Sequence, residues 1–101
     1  MNHAHVVEIL FTRHCRHLSE AIESVRAATR AADEIEVRLV QVQTMREARD
    51  LAFVGSPTVR VDGRDVEPHP SSTTFGLHDR DYVVDGHIER APPSDWIAEA
   101  L

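Results

Sequence analysis

The sequence predicts an α/β domain: a mixed central sheet with helices on both faces, in the order β-α-β-α-β-β-α. Three observations carry this. The apolar run VVEILF at Val6 to Phe11 is followed by a stretch with helical periodicity. EVRLVQVQ, from Glu36 to Gln43, alternates as a strand does. Two Asp-Gly pairs, Asp62-Gly63 and Asp85-Gly86, interrupt β-rich runs with the local chemistry of a tight hairpin turn.

Each element follows in turn. VVEILF is nearly continuous in apolar residues, as expected of a strand covered on both faces. Glu8 is the exception, and pairing with an Arg or partial exposure is the expected outcome. A helix is expected from about Cys15 to Ala32, with Leu18, Ile22, Val25, Thr29 and Ala32 on one face. Thr44-Met45-Arg46-Glu47 reads as a capping box, so a short helix should follow and stop before Gly55, a candidate C-terminal cap. Thr58 to Asp62 is a strand and Arg64-Asp65-Val66 its return; turn chemistry accounts for Asp62-Gly63 and Arg64-Asp65. Tyr82 to Glu89 forms a second small hairpin. Pro92-Pro93-Ser94-Asp95 starts a last helix striped by Trp96, Ile97, Ala100 and Leu101. Tyr82 and Trp96 are expected to pack beneath the late loop.

The 101 residues suit one domain, 1–101, with a loop and hairpin insert near 67–90. Pro68 to Thr74, with two prolines and four hydroxyl residues, should be irregular. Seventeen acids against eleven bases, all Arg, give a formal charge of −6. Nucleic-acid binding needs a basic face, so that class is set aside. One cysteine excludes an intramolecular disulfide and a Cys-only zinc site. It fits a reducing compartment. The first residues lack a basic n-region, and the apolar stretch after them is too short for a membrane span. The expected location is the cytoplasm and the expected state a monomer. Four histidines, His3, His5, His69 and His87, are expected to be solvated.

Chemistry concentrates at FTRHCRH, residues 11 to 17. Cys15 lies just past the first strand, which in an open α/β sheet is where ligands gather. A helix N-terminus stabilises a thiolate through its unpaired N–H groups and dipole. His14, Arg16 and His17 would add positive charge. Imidazole and thiolate also suit zinc or copper, so Cys15 with His17, His78 and Asp79 forms an alternative metal set. Packing of Cys15 as a small apolar residue is the competing expectation.

With these residues placed, the chain resembles the thioredoxin-fold proteins. The resemblance rests on VVEILF, on Cys15 before the helix, and on Gly55-Ser56-Pro57-Thr58 before the third strand. The stretch GSPTVRVDGRDVEP, then Phe75-Gly76-Leu77 with Arg80 and Tyr82, then Ala91-Pro92-Pro93 and Trp96-Ile97, is similar to small bacterial thioredoxin-like proteins, some labelled alkylmercury-lyase-like. The resemblance implies a thioredoxin-like fold with Pro57 in a cis peptide opposite Cys15. It implies Ser56, Pro57 and Thr58 as the substrate groove, with the Ser56 backbone open to an extended peptide or to glutathione. The implied activity is thiol-disulfide exchange or thiol transfer by a monothiol oxidoreductase, with glutathione as a co-substrate and no resident cofactor. An organomercurial or metal binder and a non-catalytic adaptor are the alternatives. The pattern departs in two places: Leu18 stands where thioredoxins carry their second Cys, and Asp79 where the nearer relatives carry a Cys after Gly-Leu.

Overall fold

The structure, a computed structural model, describes residues 4–68 and 74–101. The first strand, β1 (His5–Phe11), runs parallel to β2 (Ile35–Gln41) and antiparallel to β3 (Thr58–Val61). The two-residue β4 (Arg64–Asp65) completes a mixed sheet in the order β2-β1-β3-β4. Helix α1 (Leu18–Thr29) connects β1 to β2, and α2 (Met45–Asp50) connects β2 to β3. A separate ribbon, β5 (Tyr82–Val84) with β6 (His87–Glu89), precedes α3 (Ser94–Ala100). The expected order of elements is therefore found. Of the irregular segment expected at 68–74, residues 69–73 lie outside the described residues, as do His3 and His69.

Alternation along β1 builds two cores. Val7 and Ile9 point to one face, where α1 supplies Ala21 and Val25, β3 supplies Val59 and Val61, and α3 supplies Ile97. Each of these Val and Ile side chains, fully buried, stabilises the fold by about 1.5–3 kcal/mol. Leu10 points to the other face and meets Val42, Phe53 and Ala48 of α2. Helices thus lie on both faces, but α2 has six residues and covers only one end of its face. That explains Glu8: it shares the Leu10 face, is half-buried, and its register sets it between Arg38 and Arg60. Covering of VVEILF on both faces is complete only near its C-terminal end.

Local chemistry sets the turns. Asp62-Gly63 and Asp85-Gly86 both have positive φ at both central residues, 51° and 83°, then 50° and 80°. This is the hairpin turn whose twist matches its strands. The capping box is altered from the expected form. The Thr44 hydroxyl accepts from the Glu47 N–H at 3.1 Å, but Glu47 reaches past Thr44 to the Gln43 N–H at 3.2 Å. Gly55 is not the cap of α2. The chain turns left-handed at Ala52, φ 52°; Phe53 N–H returns to the Ala48 carbonyl at 2.8 Å and Ala52 N–H to that of Arg49 at 3.1 Å. These paired bonds close the helix as a Schellman motif, with the Phe53–Ala48 contact in the core beneath it.

No helix among the described residues is long and apolar enough to cross a membrane.

Candidate functional site

The candidate site is built on the turn that leaves β1. Cys15 N–H donates to the Thr12 carbonyl at 3.1 Å, closing a turn ahead of α1. The helix itself begins at Leu18 with His17 as its cap, so Cys15 precedes the first turn and does not sit in it as expected. A turn of this kind and a helix start look alike in apolar spacing, which is why the sequence places the helix too early. Cys15 is a free, half-buried thiol. Arg16 and His14 are exposed, and the His17 ring pairs with Glu20 at 3.0 Å. Among the described residues no hydrogen bond or ion pair joins any of these three to Cys15.

The Ser56–Pro57 peptide is cis. The Thr12 N–H donates to the Ser56 hydroxyl at 3.0 Å. Thr12 thus accepts from Cys15 on its carbonyl side and donates to Ser56 from its amide, which fixes the Cys15 turn beside the cis peptide. Ser56, Pro57 and Thr58 are all fully buried or nearly so.

The backbone of Ser56 is not open. Its N–H donates to the His78 carbonyl at 2.8 Å, and its own carbonyl accepts from Arg80 N–H at 3.0 Å. Asp79 lies opposite it in an isolated parallel bridge. The late loop occupies the backbone groups expected to receive an extended peptide or glutathione. Gly55 makes this approach possible. Its φ is 131°, and a Cβ there would lie 2.7 Å from Arg80 Cβ.

Arg80 then fastens the loop from within. It is 4% exposed, yet carries a full charge. Its Nη1 donates to Asp65 at 2.6 Å and to the Thr58 hydroxyl at 3.0 Å; its Nη2 donates to Asp65 at 3.1 Å and to Glu67 at 2.8 Å. The guanidinium also lies over the Tyr82 ring, 4.5 Å from its centre. Burial opposes the charge, and hydrogen bonds to Asp65 with the surrounding oxygens of Tyr82 and Glu67 outweigh it, so the Arg80 pKa rises. Tyr82 donates its hydroxyl to the Pro57 carbonyl and meets Trp96 edge-on, with centroids 6.2 Å apart. The Thr58 hydroxyl donates to the Gly55 carbonyl at 2.6 Å. Every residue of GSPT is therefore braced.

Sequence reasoning missed this cluster and assigned Asp65 to turn chemistry alone. The available signal was alternate spacing: Asp65 with Glu67, and Arg80 with Tyr82, each two apart. Asp62 likewise does more than turn. Its carboxylate accepts from the Val6 N–H at 2.9 Å and pairs with His5 at 2.6 Å, so His5 is not simply solvated.

An open cleft of about 690 Å³ lies at the C-terminal ends of β1 and β2. Arg13 and His14, Gln41 and Gln43, and Leu77 with Asp79 line it. Cys15 belongs to the same turn but not to its wall. Among the described residues, no three His, Cys, Asp or Glu side chains come together to hold a metal, so Cys15, His17, His78 and Asp79 do not assemble as a ligand set.

No protein-family model matches the chain, and neither a curated protein nor a solved structure does. Among the described residues, the fold and site define a compact α/β domain with a mixed sheet, three helices and one free thiol beside a cis-proline loop.

Proposed function

We propose that the chain is a thioredoxin-like domain whose Cys15 exchanges with small disulfides. The observation that carries this is the bond from Thr12 to Ser56, which sets the turn of a free, half-buried thiol against the cis-proline loop. In the reaction, the Cys15 thiolate attacks one sulfur of a disulfide. A mixed disulfide forms, the other sulfur leaves as a thiolate, and a second external thiol displaces the protein sulfur. The closed backbone of Ser56 offers no pairing to an extended peptide or to glutathione, so the exchange rests on the sulfur of Cys15 alone, and glutathione disulfide serves as a compact probe of it. The test compares the rate of mixed-disulfide formation with glutathione disulfide, by mass spectrometry, in the folded protein and in urea. A faster rate when folded supports an organised site. An equal or slower rate refutes it.

A second reading, a non-catalytic adaptor, draws support from the same closure: His78 and Arg80 already hold both backbone groups of Ser56. A folded protein slower than the unfolded chain in that comparison selects the adaptor.

A further inference from the structure

The sheet has two outer edges, and they are built differently. On one side β4 is two residues long and Pro68 follows soon after, so little backbone is offered. On the other side β2 runs seven residues in unbroken register with β1, with no proline and no bulge, and among the described residues no strand pairs with its outer backbone edge. Such an edge is a template for another strand.

Its side chains are those of an unfinished interface. Val37 and Leu39 lie on the same face as Val7 and Ile9, yet remain 47% and 55% exposed. They form one wall of an apolar groove of about 310 Å³, and Ile22, Arg26 and Thr29 of α1 form the other. On the opposite face Glu36 and Arg38 are exposed and pair with one another at 2.5 Å.

We propose that β2 pairs antiparallel with β2 of a second copy, about a two-fold axis at Val37, joining the sheets into one. The register follows from charge complementarity. Centring on Val37 places Glu36 opposite Arg38 of the second copy, twice, on one face. On the other it places Val37 against Val37 and Ile35 against Leu39, also twice. Centring one residue later sets Arg38 against itself. Opposed charges and apolar pairs across strands stabilise, and like charges oppose. The isologous contact closes, so the assembly stops at two. This departs from the monomer expected from sequence and does not depend on Cys15.

Sedimentation velocity of the full chain, with reductant to exclude disulfide dimers, tests it. The mass should rise with concentration from 11.4 kDa toward twice that value. Val37→Lys should hold the protein monomeric. Arg38→Glu should weaken association at least about tenfold, and the swap Glu36→Arg with Arg38→Glu should restore it. Circular dichroism checks folding. Should Val37→Lys unfold, the single and swapped charge variants decide alone. A monomer at every concentration overturns the proposal. So does a dimer indifferent to Val37→Lys, or one that the swap does not recover.

Discussion

Arg80 grips Asp65 with both of its terminal nitrogens, at 2.6 and 3.1 Å, across fifteen residues of sequence and almost out of reach of water. The pair joins the late loop to the end of the sheet. Its geometry is the planar fork that only arginine offers a carboxylate.

Removal of this guanidinium leaves Asp65 and Glu67 close together and without a cation. Arg80→Met should therefore cost about 3–5 kcal/mol in urea unfolding. Arg80→Lys should fall between, since it keeps the charge and loses the fork. Adding Glu67→Gln to Arg80→Met should recover part of the loss. A loss below about 1 kcal/mol for Arg80→Met would show that the cluster does not hold the loop.

Tyr82 is the only tyrosine, so tyrosinate absorbance reports one site. Burial raises its pKa, helped by Asp65 and Glu67 and opposed by Arg80. A raised value favours the neutral phenol in the fold. Stability from this group is thus complete below the unfolded value of 10.0 and falls as pH rises above it. The expected result is no tyrosinate signal until the protein unfolds, followed by a single cooperative rise. Gradual titration near the ordinary value in folded protein would contradict the burial of Tyr82.

Ala52 holds a left-handed conformation that favours glycine. Ala52→Gly should stabilise the fold by about 0.5 kcal/mol, the relief of the Cβ clash less the added freedom of the unfolded chain. The urea midpoint should rise with the slope unchanged. Destabilisation would mean that the Ala52 methyl makes contacts worth more than the backbone relief.

The Asp62 carboxylate is held below its usual pKa first by the Val6 N–H and then by His5. The sign follows from the charged form being favoured in the fold. The contribution is present above the ordinary value of 3.8 and is lost as pH falls through the lower folded value. Urea midpoints for wild type and Asp62→Asn should differ at neutral pH and converge in acid. Parallel curves down to the acid limit would rule out this role.

What was legible in the sequence was local. The β1 strand declares itself through consecutive apolar residues, and Asp62-Gly63 and Asp85-Gly86 through side chains that tolerate positive φ. Thr44 announces α2 because its hydroxyl bonds three residues on. Cys15 and the Ser56–Pro57 peptide were placed near one another, though through resemblance more than through pattern. The Arg80 cluster stayed hidden because alternate spacing puts Asp65 with Glu67 and Arg80 with Tyr82 on shared faces but does not show that the two pairs, fifteen residues apart, will be buried together. Charged residues in loops look solvated until the fold brings them together. Val37 and Leu39 were legible as positions on one face of an alternating strand, but not as open ones: that follows from the edge position of β2.

The pairing of Ser56 with His78 and Arg80 has a kinetic meaning as well. Both sides belong to one chain, so the loop acts on Ser56 as a tethered competitor, with an effective concentration of order millimolar or more. An untethered extended chain that wants the same backbone groups must outbid that competitor or wait for it to leave. A compact molecule that needs only the sulfur of Cys15 faces no such contest. For the exchange proposed at Cys15, the strap would then sort partners by shape, turning away long chains by occupancy.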